Sequence, residues 1–424
     1  MMPAVTRPSG SLIEKLHALV SAVLKSNPFY SAKLRAAGVS RPPADLAEFR
    51  ARFPFTTKAA LIEDQKQHPP FGSNLTFPVD QYSRFHQTSG TAGQPMRWLD
   101  TPESWDWVVA CWLRIYQTAG IGPSDRVFFP FSFGPFLGFW GAFDAATRMG
   151  CLSIAGGGMR STARLRTLLD NDVTTVCCTP TYALHLAEVA SDEKIDLAAG
   201  KVRTIIVAGE PGGSIPATRA HIERAWSGAR VVDHHGMTEI GPVTYECPRR
   251  PGVLHVMEES YIPEVIGRDT LEPAGPGGSG ELVLTNLGRT GSPILRYRTG
   301  DIVKRALQST CECGSAEMAL EGGILGRVDD MVVVRGVNLY PSAVEQVVRS
   351  AGAINEFRVE IRQEKSLTEL SIFIEPANGE DGAALSHRVA TLLQYAFGLR
   401  IEVSAADPGT LPRFEAKSKR WVYR

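Results

Sequence analysis

The 424-residue chain carries no net charge, because 45 lysines and arginines cancel 45 aspartates and glutamates. That balance gives no electrostatic footprint for nucleic acid or an anionic membrane, so neither is expected as a partner, and a small neutral-to-acidic molecule is. Long apolar runs are also missing. The stretch 12–20, LIEKLHALV, is interrupted by Glu14, Lys15 and His17 at the spacing of an amphipathic helix, not of a signal sequence. Nothing approaches the roughly 18 apolar residues of a membrane span. Cysteine is scarce and odd in number, seven in all, which argues against a disulfide framework and for reduced thiols in the cytoplasm. What is present is ordinary for a globular chain: 43% hydrophobic and 21% charged residues, with length enough for at least two domains.

From about residue 125, short apolar runs alternate with amphipathic stretches, the signature of βαβ units and a mostly parallel sheet. Strands are expected at 173–179 (VTTVCCT), 202–207 (VRTIIV) and 230–233, with helices through 182–187 and after Pro216. After about residue 245 the pattern turns antiparallel, with strands expected at 281–285 and 293–297. The last hundred residues read as a small α+β unit: strand 331–334, helix 341–350, strand 370–374, helix 383–397. A boundary near 326–330 (GRVDD) would divide a large domain, 1–328, from a small one, 329–424.

Several short segments could carry chemistry. Gly275-Pro276-Gly277-Gly278-Ser279-Gly280 fits G-x-G-x-x-G but precedes a strand, the reverse of a dinucleotide site, and reads as a tight turn. The loop 87–95, QTSGTAGQP, interleaves the hydroxyls of Thr88, Ser89 and Thr91 with Gly90 and Gly93, whose backbone freedom lets N–H groups converge on an anion. It lacks the P-loop lysine, Gln94 standing there, and a surface turn is the other reading. In 234–239, HHGMTE, Thr238 and Glu239 could hold Mg²⁺ through oxygen, or could equally be a helix N-terminus with Thr238 as cap. Asp301 in YRTGD could accept from ribose hydroxyls or sit in a plain turn. Cys311 and Cys313 with Cys247 and His255 would make a Cys₃His zinc set, against incidental thiols. Lys417 lies in the basic run 412–420, which by itself is a solvated end.

Taken together and in this order, these motifs resemble the adenylate-forming superfamily of acyl-CoA synthetases and adenylation domains. Within it the chain is similar to the short phenylacetate-CoA ligase type, through 27–34 (NPFYSAKL), 131–136 (FSFGPF), 179–182 (TPTY), Gly209-Glu210-Pro211 and 335–341 (RGVNLYP). The resemblance spans nearly the whole chain. It implies a large α/β domain with mostly parallel sheets flanked by helices, a β-rich subdomain, and a small mobile C-terminal domain.

The resemblance also implies roles. Thr88, Ser89, Gly90, Thr91 and Gly93 would wrap the β- and γ-phosphates of ATP. Gly209, Glu210, Pro211, His234, His235, Gly236 and Met237 would border the nucleotide, with His235 replacing the usual tyrosine against adenine. Glu239, beside Thr238, would bind Mg²⁺, Asp301 and Arg327 the ribose, and Lys417 would bridge the reacting carboxylate. Asp329 would be the hinge. The acyl pocket would draw on Phe131, Phe133, Phe136, Ala208, Gly209 and Pro242, whose aromatic walls suit a flat ring. The expected activity is activation of an aryl or arylacetic acid, with or without hydroxyl or amino substituents, to acyl-AMP, followed by thioester formation with CoA. The alternatives are a free-standing adenylation enzyme that loads a carrier-protein phosphopantetheine and, from another class, a non-catalytic nucleotide-binding or zinc-organised interaction protein. ATP, Mg²⁺, CoA and a structural zinc are the expected cofactors, and a homodimer is compatible with all of this.

Overall fold

The computed structural model describes residues 10–88, 95–335, 337–364, 367–415 and 417–424. By its contacts the chain divides into two compact units, one of 1–125, 132–153 and 234–321, the other of 126–131, 154–233 and 322–424.

The first unit begins with the helix Leu12–Ser26, which opens on a capping box: Ser11 accepts from the Glu14 N–H and the Glu14 side chain accepts from the Ser11 N–H. Its apolar stripe of Leu16, Leu19, Val20 and Val23 is buried together with Ile262, Leu287 and Leu295. The expected antiparallel region is present, with Ser279–Asn286 between Tyr261–Ile266 and Tyr297–Lys304. A second small sheet joins Thr244–Glu246, Val253–Val256 and Ala319–Glu321. The strand expected at 293–297 is a correction. Strand geometry begins only at Tyr297, because Arg296 is held at φ +46. Its guanidinium is bound by Glu264 at 2.8–2.9 Å and by the Phe53 carbonyl, so a buried ion pair outweighs the local strand preference. The segment 275–280 opens as a turn, closed by the Gly278 N–H on the Gly275 carbonyl, and runs into the strand Ser279–Asn286.

In the second unit Arg126–Phe129, Thr175–Cys178, Thr204–Val207 and Arg230–Asp233 form a parallel run in that order. Thr175–Cys178 and Thr204–Val207 are buried at every position, which is why they read as unbroken apolar runs rather than as alternation. The helix Pro180–Asp192 follows at once, with Thr179 accepting from the Tyr182 N–H and proline in the first turn. The last hundred residues form a four-stranded sheet in the order Glu402–Ala405, Leu367–Pro376, Ile354–Glu364, Trp421–Tyr423. The helices Pro341–Ser350 and Gly382–Phe397 pack on it around Val344, Val348, Leu385, Val389 and Leu393. The second helix starts on an Asp381 cap and stops at Gly398, at φ +70.

Candidate active site

The HHGMTE motif does not start a helix. Gly236–Met237 pairs antiparallel with Gly241–Pro242, so residues 238–240 make the turn of a short hairpin, and the reading of Thr238 as a helix cap is overturned. The reversal uses Gly241 at φ +102, a backbone state that glycine reaches without steric cost. At the turn Glu239 is buried, and its Oε1 accepts from the Tyr297 hydroxyl at 2.8 Å. Its second oxygen takes no hydrogen bond from the described residues. Arg289 pins the turn, donating to the Thr238 carbonyl at 2.6 Å. Arg289 is itself held by Asp100 through two parallel bonds of 2.6 Å, and both are fully buried. Burial alone would raise the Asp100 carboxyl, but the Arg289 guanidinium keeps it below the usual carboxylate range.

His235 and Asp301 meet: Nε2 lies 3.1 Å from Oδ2. The His235 N–H donates to Thr244 Oγ1 at 2.8 Å and the Asp301 N–H to Thr299 Oγ1 at 3.0 Å, so both backbones are fixed. His234 meets Trp112 edge-to-face at 4.4 Å. Burial pushes its pKa down to about 3, with His235 adding to the effect, so its ring is neutral at any physiological pH. Pro242 is buried, its carbonyl accepting from Tyr261 at 2.7 Å.

The loop 87–95 joins two antiparallel strands, Arg84–Gln87 and Arg97–Asp100. Thr88 closes its base, its N–H donating to the Met96 carbonyl and its hydroxyl accepting from the Met96 N–H. Ser89, Gly90, Thr91, Gly93 and Gln94 lie outside the described residues. Phe133 stacks edge-on to Trp140 at 4.9 Å and to Phe143 at 5.3 Å, and Phe136 immediately precedes the helix Leu137–Met149.

Within the second unit, Phe131 lies against Phe129 at 5.9 Å. Ala208, Gly209, Glu210 and Pro211 follow the strand Thr204–Val207, and Gly209 sits at φ +93. A methyl group added at Gly209 would lie 3.5 Å from Lys417 Cε, so the lysine side chain crosses directly over this glycine. Glu210 ties this loop to two other segments. Its Oε2 accepts from the Ser418 N–H at 2.7 Å and hydroxyl at 3.0 Å, and its Oε1 from the Thr181 N–H at 3.0 Å. Arg327 lies in a two-residue strand and approaches Asp329 at 3.9 Å.

The chain matches the model of the AMP-binding enzyme over residues 78–288 and that of the AMP-binding enzyme C-terminal domain over 336–424. Phenylacetate-coenzyme A ligases of Thermus thermophilus and Escherichia coli are each 30% identical to it, over 96% and 93% of this chain and 94% and 89% of theirs. The chain belongs to the AMP-binding enzyme family, with the phenylacetate-CoA ligases among its relatives. It is thus an AMP-forming acyl-CoA ligase. A crystal structure of 2-hydroxyisobutyryl-CoA ligase in the postadenylation state with R3-HIB-AMP superposes with a TM-score of 0.90 at 28% identity, covering 97% of this chain and 89% of that one. The same relative with 2-HIB-AMP and CoA in the thioesterification state gives 0.73 at 28% identity, over 99% and 91%.

This AMP-binding enzyme also brings together the four residues named as a zinc set. Cys247, His255, Cys311 and Cys313 place one ligand atom each within 4.8 Å of all the others. Cys247 Sγ lies 3.6 Å from Cys311 Sγ, and Cys313 Sγ 3.5 Å from His255 Nε2. His255 lies on the strand Val253–Val256 and Cys247 directly follows its neighbour Thr244–Glu246, its N–H donating to the Val253 carbonyl, and the Cys311 turn is closed by Gly314 at φ +86.

Residues that hold the site but escape sequence reasoning are Tyr297, Asp100 and Arg289. Tyr297 stands at the head of YRTGD, and its alternation with Thr299 and Asp301 was a usable signal, since all three face inward. Asp100 and Arg289 carry no local signal at all.

Proposed function

We propose that this ligase activates an aromatic carboxylic acid, aryl or arylacetic, with or without hydroxyl or amino substituents, and transfers it to CoA. The observation that carries the choice of acid is the ring cluster that Phe133 of the 131–136 segment makes with Trp140 and Phe143 of the helix Leu137–Met149, because edge-to-face aromatic walls suit planar ligands. In the first half-reaction a carboxylate oxygen of the acid bonds to the α-phosphorus of ATP as the bond to pyrophosphate breaks. Two anions meet there, so positive charge must be fixed in place beforehand. Lys417 supplies it at the attacking carboxylate. Glu239 suits a hard divalent cation, since Tyr297 orients one carboxylate oxygen and the other takes no hydrogen bond among the described residues. Mg²⁺ bound there would neutralise phosphate charge. The hydroxyls and amides of Thr88, Ser89, Gly90, Thr91 and Gly93 hold the departing phosphates, Asp301 and Arg327 the ribose. His235, 3.1 Å from Asp301, packs against the base.

In the second half-reaction the thiol sulfur of CoA bonds to the acyl carbon and AMP leaves. Asp329 is the proposed pivot that exposes the acyl-AMP to the thiol, as hinges need only a few residues that absorb a backbone change. A proline at 329 is expected to slow thioester formation several-fold more than adenylation; equal losses in the two half-reactions would remove Asp329 from that role.

The substrate reading is tested by trapping acyl-AMP as hydroxamate with ATP and a panel of aryl, arylacetic and short hydroxyalkanoic acids. Aryl or arylacetic acids are expected to give the highest kcat/KM, and preference for a branched aliphatic hydroxy acid would overturn it. Product formation with CoA against a phosphopantetheine carrier protein identifies the acceptor.

We also infer that Cys247, His255, Cys311 and Cys313 bind a structural zinc ion. Zn–S bonds of about 2.3 Å in a tetrahedron put sulfurs about 3.8 Å apart, close to the 3.6 Å between Cys247 and Cys311. His255 Nδ1 meets the Glu317 carbonyl at 3.2 Å, which turns Nε2 toward the thiols as a metal-bound imidazole requires.

A further inference from the structure

The segment that carries Lys417 is fastened at both ends within its own unit. Four residues ahead of the lysine, the Arg413 guanidinium joins two carboxylates. Nε and Nη2 donate to Glu188 at 2.6 and 2.5 Å, and Nη1 and Nη2 to Glu375 at 3.1 and 2.5 Å. Glu375 belongs to the same C-terminal sheet and is buried, whereas Glu188 stands on the helix Pro180–Asp192. One residue past the lysine, Ser418 is held by Glu210. The Glu415 contact to Arg164, at 3.4 Å with Glu415 largely exposed, adds little.

The asymmetry of the Arg413 clamp gives it a mechanical meaning. Arg413 keeps its fold-internal partner Glu375 whatever the neighbouring helix does, so the guanidinium stays paired with a buried carboxylate. Glu188 is the detachable half. Burial alone would raise its carboxyl, but Arg413 and His185 hold it down at about 2, so it is ionised throughout the working range. A planar fork on a carboxylate fixes orientation as well as distance, and a segment tied at 413 and 418 leaves Lys417 little room to leave Gly209.

We propose that Glu188 and Arg413 are positioning residues, a latch that holds Lys417 in place for adenylation and opens for thioester formation. The inference rests on the proposed two-step reaction. The latch stabilises the arrangement needed by the first half-reaction and so opposes the second. Weakening it shifts the balance between them without touching the reacting atoms.

The test compares Glu188→Gln and Arg413→Lys with the parent enzyme in three measurements. In acid-dependent ATP–pyrophosphate exchange, kcat is expected to fall about tenfold, the effect of losing one charge-assisted contact, with KM for the acid within about twofold. Single-turnover transfer from preformed acyl-AMP to CoA is expected to be unchanged or faster. Amide exchange at Ser418, measured by mass spectrometry over 411–420, is expected to speed up, as a segment opens more readily when a tie is cut. Equal loss in both half-reactions would mean a merely structural pair, and unchanged kinetics with unchanged exchange would mean no latch; either result overturns the proposal. Should the parent enzyme turn over no acid, the function fails separately, and the Ser418 exchange rate alone decides the latch.

Discussion

Replacing Lys417 with alanine is expected to lower acid-dependent ATP–pyrophosphate exchange by about 10²-fold or more, while transfer from preformed acyl-AMP to CoA changes little. The size follows from the removal of a single preorganised electrostatic stabiliser, which typically costs 10²–10³ in kcat. A cation fixed by the protein is worth much more at a developing charge than one that water must reorganise around. The fixing is visible: the lysine side chain crosses Gly209, and Glu210 ties down Ser418, the residue after the lysine. Gly209→Ala would strain the backbone at φ +93, its new methyl meeting Lys417 Cε at an ordinary contact distance of 3.5 Å, so a partial version of the same defect is expected there. Unchanged exchange in Lys417→Ala would take the lysine out of the first half-reaction.

Metal analysis of the purified protein is expected to find about one zinc per chain, and Cys311→Ser to lose it together with on the order of 10 °C in Tm. The apolar support around the cluster is thin, consisting of Cys247, Val253, Cys311 and Ala319 with two partly buried neighbours. A bound zinc would therefore substitute for a core in this region. Structural zinc sites contribute folding free energy outright, and a loss of roughly 3 kcal/mol moves Tm by about 10 °C in a unit of this size. Less than about half an equivalent of zinc, or an unshifted melt in Cys311→Ser, would return the four residues to incidental packing. Exchange activity measured below the lowered Tm separates this role from catalysis, since none of the four touches the hairpin at Glu239 through a hydrogen bond among the described residues.

Much of the fold was legible because it rests on local rules. The run VTTVCCT is a strand buried on both faces, Thr179-Pro180 and Asp381 start helices where capping chemistry places them, and Gly398 ends one. The order of motifs from residue 87 to Lys417 was enough to point to the family that the relatives then showed. Where local rules failed, a distant partner had overruled them. Residues 293–296 are not a strand because Glu264 claims Arg296, and Thr238 does not cap a helix because Gly241 turns the chain and Arg289 holds the Thr238 carbonyl.

The sequence by itself determined the alternation of strands and helices and where several of the helices begin and end. Those follow from periodicity, capping and composition, which act over a few residues. Only the tertiary structure decided that Tyr297 orients Glu239, that His235 Nε2 lies 3.1 Å from Asp301, that Asp100 answers Arg289 across 189 residues and Glu188 answers Arg413 across 225. Hydrogen bonds and ion pairs act over about 3 Å, and which side chains come that close is fixed by how the elements pack, not by their distance along the chain.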